Sequence, residues 1–365
     1  MANPWDSPAP EAGSGPRSNA AGMDRPALRA LAQALGEPAW RADQLFTGLY
    51  RQRWTRWEEF SPLSKKMRER LAAQVDLKWP AIFHSEPSSD RSTKHGFQLE
   101  DGRQIEGVHM PYDDRTTLCL SSQVGCAMGC TFCATGQMGI IRNLRSAEIV
   151  GQVMAMVLHH HHPAEKPLNL VFMGMGEPLH NLDHVMEAFE VLTDSEGLAI
   201  PPRRITISTS GLGTGIERLG AFARRPRLAL SLNGTTDEHR SRIMPVNRVW
   251  NLAALAESLS RFPLQGSERI TLEYVLLKGV TDSMEDGRRL IAFARHFPSK
   301  INLIPFNPHE GSGFEPPEEA RVGALCRLLS EAGLTVSVRR SRGQDVAGAC
   351  GQLVRQGQGR HPQPR

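Results

Sequence analysis

Three cysteines within eight residues, Cys126-Ala-Met-Gly-Cys130-Thr-Phe-Cys133, are the residues of this chain best spaced for inorganic chemistry. A single loop with these intervals can wrap a compact metal centre. A closed zinc or ferredoxin-type site takes a fourth ligand close by, yet the next cysteines are Cys326 and Cys350. An iron–sulfur cluster held by three thiolates keeps one iron open to a substrate or cofactor. Thiols that bind iron need a reducing compartment, so the six cysteines predict free thiols and a cytoplasmic location, not a disulfide framework.

Other polar residues fall where a nucleoside-like cofactor needs contacts. Phe172-Met173-Gly174-Met175-Gly176-Glu177-Pro178 joins two glycines, which let a ligand approach the backbone, to an acid suited to an ammonium group. Ser208-Thr209-Ser210-Gly211 and Ser231-Leu232-Asn233 offer hydroxyls and amides for ribose and adenine edges; taken alone, each is an ordinary turn. Cys350 lies among small residues in Val346-Ala-Gly-Ala-Cys350-Gly-Gln-Leu353, downstream of Arg339, Arg340 and Arg342, which favour a thiolate. Cys326, inside Ala324-Leu-Cys-Arg-Leu-Leu329, reads as packing. The run His159–His162 precedes Pro163 and reads as a solvated helix end.

These motifs need elements to carry them. Residues 1–22 are rich in Pro, Ala, Gly and Ser and are expected to be disordered. Residues 23–82 show apolar residues at helical spacing (Leu28, Leu31, Leu35, Leu45, Leu49, Met67, Leu71), predicting a small helical domain. Its stretch 25–80 carries eleven Lys/Arg against six Asp/Glu, interleaved with Trp40, Trp54, Trp57 and Trp79. That mixture suits phosphate and base contacts, although the tryptophans alone read better as core. Residues 83–114 look like hairpin strands, among them 94–99 and 104–110. From Thr116, strands and helices alternate: strands at 116–121, 168–173, 204–208, 227–232, 270–276 and 301–304, with helices beginning near Ser146, Leu182, Thr214, Leu252, Ser283 and Pro317. Such βα repeats predict a parallel sheet with helical crossovers; periodicity is common to a barrel and a doubly wound sheet. Residues 355–365 are expected to form a disordered basic tail. No apolar run approaches the roughly 20 residues of a membrane span, the N-terminus does not read as a secretory signal, and the net charge of +4 is modest.

The triad CxxxCxxC with aromatic Phe132 resembles the signature of the radical S-adenosylmethionine (SAM) enzymes. That resemblance implies a 4Fe–4S cluster on Cys126, Cys130 and Cys133, SAM chelating the open iron, and an α/β partial (β/α)6-type barrel spanning 83–354 with an N-terminal β extension. CAMGCTFCATG, FMGMGEPL, ISTSG, IMPVN, INLIPFNP and RGQDVAGACGQL, in this order, together resemble the RlmN/Cfr family over residues 25–354. Those enzymes methylate carbon 2 or carbon 8 of an RNA adenine, and Pro178 with the overall pattern is more similar to the carbon-2 branch, with 23S rRNA and tRNA as substrates. The resemblance implies that Cys350 carries the methyl group, that Cys119 resolves it through a transient disulfide, and that Glu106 is the proton acceptor. It places SAM contacts at Gly176, Glu177, Ser208, Ser231, Leu232, Asn233 and Asn307, with Asn233 standing where some members have His. It also implies two SAM molecules per methylation, an RNA-binding role for the N-terminal helices, an external electron donor such as flavodoxin, and a monomer away from membranes.

Overall fold

The computed structural model describes residues 17–353, in two compact units divided between Lys78 and Trp79. Of the tails expected at 1–22 and 355–365, residues 1–16 and 355–365 lie outside the described residues, as does Val354. Residues 17–22 were expected within the disordered tail; instead strand β1 (Ser18–Asn19) pairs in parallel with β2 (Val75–Asp76), and Ala20 and Ala21 are buried. Asn19 Nδ2 donates to Lys78 O at 2.8 Å, which composition alone does not reveal.

The first unit is built from α1 (Arg25–Ala34), α2 (Arg41–Phe46), which runs on through one wide turn to Arg51, and α3 (Lys65–Gln74). Asp24 caps α1 through Ala27 N at 2.8 Å, and Ser64 caps α3 through Met67 N at 3.2 Å. Leu28, Leu45, Leu49, Phe60, Met67 and Leu71 form the core. Trp57 is buried and its indole N–H donates to Val75 O at 2.8 Å, while Trp54 meets Phe60 edge-on at 5.0 Å. Packing therefore accounts for both. Trp40 is 54% exposed with the Arg41 guanidinium 4.1 Å above its ring.

The second unit holds a ten-stranded sheet in the order β14-β13-β12-β11-β10-β9-β6-β5-β4-β3. Its strands are β3 (Ala81–Pro87), β4 (Thr93–Gln98), β5 (Gln104–Pro111), β6 (Thr116–Cys119), β9 (Leu168–Phe172), β10 (Ile205–Thr209), β11 (Arg227–Ser231), β12 (Ile270–Leu276), β13 (Ser299–Pro305) and β14 (Val336–Val338). From β6 to β14 all neighbours are parallel, while β3, β4 and β5 extend the edge in antiparallel fashion. The crossover helices that begin the six expected segments are α5 (Ser146–His159), α6 (Leu182–Thr193), α7 (Gly213–Gly220), α9 (Leu252–Ser260), α10 (Met284–Ala294) and α11 (Glu319–Glu331). The fold is the α/β partial barrel expected from the sequence, with β14 added as a seventh parallel strand. Three residues, Val336–Val338, were too short a pattern to stand out. The sequence reading also missed α8 (Asp237–Ile243), and the hairpin β7 (Gln123–Cys126) and β8 (Gly139–Asn143), whose intervening loop contains the short α4 (Ala134–Gln137).

Arg240 on α8 knits the ends of the central strands together. It is fully buried, donating from Nε to Leu232 O at 2.8 Å, from Nη1 to Asn247 Oδ1 at 2.9 Å and from Nη2 to Ser210 O at 2.5 Å. Burial pulls its pKa down to about 10, so it stays charged at neutral pH. Replacing it by Met removes the donors and leaves three buried acceptors unpaired, so Arg240→Met should lose about 2–4 kcal/mol of stability. A lower urea midpoint at unchanged slope is the expected readout; an unshifted midpoint would show that these strand ends hold without it.

Candidate active site

The chemistry gathers beyond the C-terminal ends of the parallel strands, where βα loops converge. After β6 the chain passes over the β9 loop: Leu120 N donates to Val171 O, and Ser122 N to Met175 O at 2.8 Å. It then enters β7, which pairs with β8 and brackets the cysteine loop. Gly125 makes that hairpin possible. Its φ is +78°, and a Cβ there would lie 2.0 Å from Gly139 O. Gly176 serves the neighbouring loop in the same way, with φ +101° and Gln123 N only 2.7 Å from where a Cβ would stand.

Cys126, Cys130 and Cys133 line one wall of a cleft of about 920 Å³, counting its open mouth. Gly176, Glu177, Ser208, Ser231, Asn233 and Asn307 line the same cleft, so six of the seven expected SAM contacts share one cavity with the thiols. Leu232 does not reach it. Its side chain is fully buried, and its backbone is used by Arg240 and Glu273. Glu177 is buried and already accepts from Ser210 N (2.7 Å), Ser210 Oγ (2.9 Å) and Leu179 N (3.1 Å). Burial raises its pKa while these donors oppose the rise. Asn233, at φ +52°, accepts from Val275 N at 2.9 Å. Ser208 Oγ lies 3.2 Å from Ser231 Oγ.

The three thiols suit a multi-iron centre. They are free, and Cys130 and Cys133 pack against the cluster of Phe132, Met244 and Phe306. Burial pushes Cys126 up to about 12 and Cys130 well above its ordinary value, and the neighbouring thiols add to the rise. Three such thiolates persist only around strong positive charge. Among the described residues, the one group of three metal-ligating side chains with atoms within 4.8 Å of one another contains no cysteine, so the sulfurs stand wider apart than around a single ion.

The segment bearing Cys350 closes over this cleft. Ala134 N donates to Gly351 O at 2.8 Å, and Thr135 Oγ1 donates to Leu353 O. Asn307 Nδ2 donates to Cys350 O at 3.1 Å, and Gln352 Nε2 to Pro308 O at 2.7 Å. The β3–β4 turn grips the same segment from the far side. Asp345 accepts from Ser88 Oγ (2.5 Å) and Ser89 N (2.9 Å), and Asp90 accepts from Gly343 N at 2.9 Å. The result is that Cys350 lines both the large cleft and a second cavity of about 320 Å³, whose wall includes Cys119, Val108, Met110 and Arg339.

Arg339 lines both cavities as well, with Nη1 at 3.1 Å from Met173 Sδ and 3.5 Å from Glu273 Oε2. Cys350, above all, together with Glu273 and Cys119, raises its pKa further above the ordinary value against the effect of burial. Glu273 is buried, and its Oε2 carries no hydrogen bond within the protein, so it offers an acceptor to the large cleft. Glu273 did not emerge from sequence, and Arg339 did so only as one of three arginines upstream of Cys350. Glu273 is a single acid in the apolar strand Ile270–Leu276, which is a usable signal; Arg339 is one arginine among several, which is not.

Glu106 lines neither cavity. It lies on the same face of β5 as Val108 and Met110, two residues beyond the Val108–Cys119 pair. Its carbonyl accepts from Ser121 Oγ at 2.6 Å, and its carboxylate lies 3.8 Å from Lys94 Nζ, which also meets Glu86 at 2.9 Å. It is thus near the cysteine pair in the sheet and tied to a lysine.

Residues 120–291 match the radical SAM superfamily, and residues 18–77 match the N-terminal domain of ribosomal RNA large subunit methyltransferases. The chain is 46% identical over 336 residues to dual-specificity RNA methyltransferase RlmN 2 of Myxococcus xanthus, covering 90% of this chain and 88% of that protein. It is 46% identical over 319 residues to dual-specificity RNA methyltransferase RlmN of Geobacter sulfurreducens, covering 87% of each. The chain belongs to the RlmN family of radical SAM enzymes. A crystal structure of a radical SAM methyltransferase from Sphaerobacter thermophilus superposes with a TM-score of 0.87 at 37% identity, over 93% of this chain and 99% of that one. Membership of this family implies a 4Fe–4S cluster and SAM, and the thiol triad beside a largely apolar cleft with a few convergent polar side chains fits both.

Cys119 is held in its thiol form. Burial first, and then the Cys350 sulfur, push its pKa up to about 12, while Arg339 opposes the rise. A raised value means that the folded state holds this proton more tightly than the unfolded one. The associated stability is complete below pH 9.0, the ordinary value, and is lost as pH rises toward about 12. In cluster-free protein, the alkylation rate of Cys119 should therefore still be climbing above pH 10, with its inflection displaced upward by more than one pH unit from that of the urea-unfolded chain. Coincident inflections, measured by peptide mass spectrometry, would contradict this.

Proposed function

We propose that this protein methylates carbon 2 of adenine in 23S rRNA, and in tRNA, through an S-methylcysteine at Cys350. The observation that carries the reading is the placement of Cys350 between the cleft lined by the thiol triad and the cavity lined by Cys119. A C–H at adenine carbon 2 is not nucleophilic, so direct attack on SAM's methyl group fails there, and a relay through sulfur answers that difficulty.

Cys126, Cys130 and Cys133 would hold the cluster, and Gly176, Glu177, Ser208, Ser231, Asn233 and Asn307 would border SAM. When bound, the cluster and SAM supply a 5′-deoxyadenosyl radical. Cys350 Sγ first loses its proton and takes the methyl group of one SAM, forming an S–C bond as the sulfonium–methyl bond breaks and S-adenosylhomocysteine leaves. Arg339 lies beside that sulfur and lines both cavities that it faces. Asn307, through its bond to the Cys350 carbonyl, keeps the S-methyl group facing the large cleft, where a hydrogen atom can be taken from it by a second SAM's radical. Cys350 then presents the carbon to adenine carbon 2. Glu106 takes the ring proton, and Lys94 beside it balances the carboxylate's charge before the transfer. The ring's remaining unpaired electron would be taken up by the oxidised cluster. Cys119 Sγ then gives up its proton and attacks Cys350 Sγ, so that a disulfide forms as the sulfur–carbon bond breaks and the released carbon takes up a proton to become the methyl group.

The N-terminal helical unit is proposed to contact RNA, supported by the exposed Trp40 with its stacked Arg41 and by the excess of basic residues. The chain is proposed to act as a cytoplasmic monomer reduced by an external donor of the flavodoxin type. No helix among the described residues is long and apolar enough to cross a membrane.

Cluster-loaded protein given SAM, a reductant and an rRNA fragment without oxygen should yield 2-methyladenosine. Cys350→Ala should abolish it, and Cys119→Ala should accumulate RNA covalently joined to protein. Methylation at carbon 8, or normal turnover by Cys119→Ala, would overturn the scheme.

A further inference from the structure

The histidines left unexplained by this chemistry converge on one point behind the sheet. His95 on β4 is fully buried, and its Nδ1 lies 2.9 Å from Ser85 Oγ, which fixes the ring and turns Nε2 toward α5. His159 is the last residue of α5 and His160 its C-cap, with φ −93° and ψ 7°. Consecutive side chains on a helix diverge, but here the backbone leaves the helix between them and both rings face His95. The ring centres of His95, His159 and His160 form a near-equilateral triangle with sides of 5.1, 5.0 and 5.0 Å, and their planes are mutually inclined by 64–77°. One nitrogen from each lies within 4.8 Å of the others.

We propose that His95, His159 and His160 form a zinc site. Zinc–imidazole bonds are about 2.0–2.1 Å long and tetrahedral, so ring centres stand about 3.2 Å from the ion and about 5.2 Å from one another. The observed triangle has that size. His95 Nε2 and His160 Nε2 are 2.8 Å apart, and around zinc they would separate to about 3.3 Å. A hydrogen bond explains this pair, but not the third ring at the same distance from both. Nitrogen-only donors suit zinc, and imidazole ligates in the neutral form. The C-terminus of α5 adds its partial negative charge. His109 stacks flat on His160 at 3.6 Å and 8°, setting that ring's plane. His159 is exposed, which gives the ion an entry path and leaves the fourth position to water.

The site would pin α5 to the antiparallel extension. His95 pairs in register with Gly107, the neighbour of Glu106, so the ion would brace the strand bearing that carboxylate from its opposite face. This role is structural and does not depend on the methylation scheme.

The test is a zinc chloride titration by calorimetry of the full-length, cluster-loaded protein, so that the cysteine triad is already occupied. One equivalent per chain should bind and raise Tm. His159→Gln, at an exposed helix end, should weaken binding at least tenfold while zinc-free Tm stays the same; His109→Phe, which keeps the stacking, should retain binding. X-ray absorption at the zinc edge should show only nitrogen and oxygen neighbours near 2.0 Å. Equal affinity in wild type and His159→Gln, no saturable binding, or a sulfur shell at about 2.3 Å would each overturn the proposal.

Discussion

Closure of the chain's last described segment onto the cysteine loop is the constraint on which the rest of the site depends. Cys350 and Cys126 are 224 positions apart, so no local motif can bring the tail sulfur to the thiol triad. The backbone bond from Ala134 to Gly351 and the side-chain bonds from Thr135 and Asn307 do so directly. Two of them tie the tail to α4 behind the cysteine loop, and the third ties it to the loop after β13. The β3–β4 turn then clamps the segment through Asp90 and Asp345, which gives the antiparallel extension a purpose: it supplies a second anchor on the side away from the parallel strands. A sulfur held from both sides can face two cavities.

Electrostatics in this region pull in opposite directions. Burial makes the thiolates costly, and Cys133 raises both Cys130 and Cys126 further. Two cations offset that cost: Arg240, buried beneath the loop, and Arg339 between Cys119 and Cys350. Glu177 and Glu273 bring negative charge to the same cleft, but Glu177 is held by three donors from the loop ends. A site with this balance disfavours bare thiolates and suits a positively charged occupant.

Much of the catalytic unit was legible because parallel strands and their crossover helices repeat, and because the cysteine triad and the Gly-Glu turn fall at strand ends where ligands meet α/β sheets. The cleft's lining followed from that regularity for Ser208, Ser231, Asn233 and Asn307. What stayed hidden depends on distant contacts. Leu232 lies between two lining residues and looks equivalent in sequence, but strand alternation turns its side chain into the core. Arg240 and Arg339 resemble any solvated arginine until their partners, seven or more positions away or across the sheet, are known. Ser18–Asn19 reads as part of a low-complexity tail, and only pairing with Val75–Asp76 orders it. His159 and His160 read as a helix cap because the ring they face, His95, is more than sixty positions upstream.

The central claim is that Cys350, rather than any other thiol of the chain, holds the carbon to be delivered. Cluster-loaded protein incubated with methyl-labelled SAM and no RNA, then digested and examined by peptide mass spectrometry, tests it most directly. The account predicts one labelled methyl group on Cys350 and none on Cys119 or Cys326. Label on another residue, or a protein that methylates RNA while Cys350 never carries the methyl group, would contradict it.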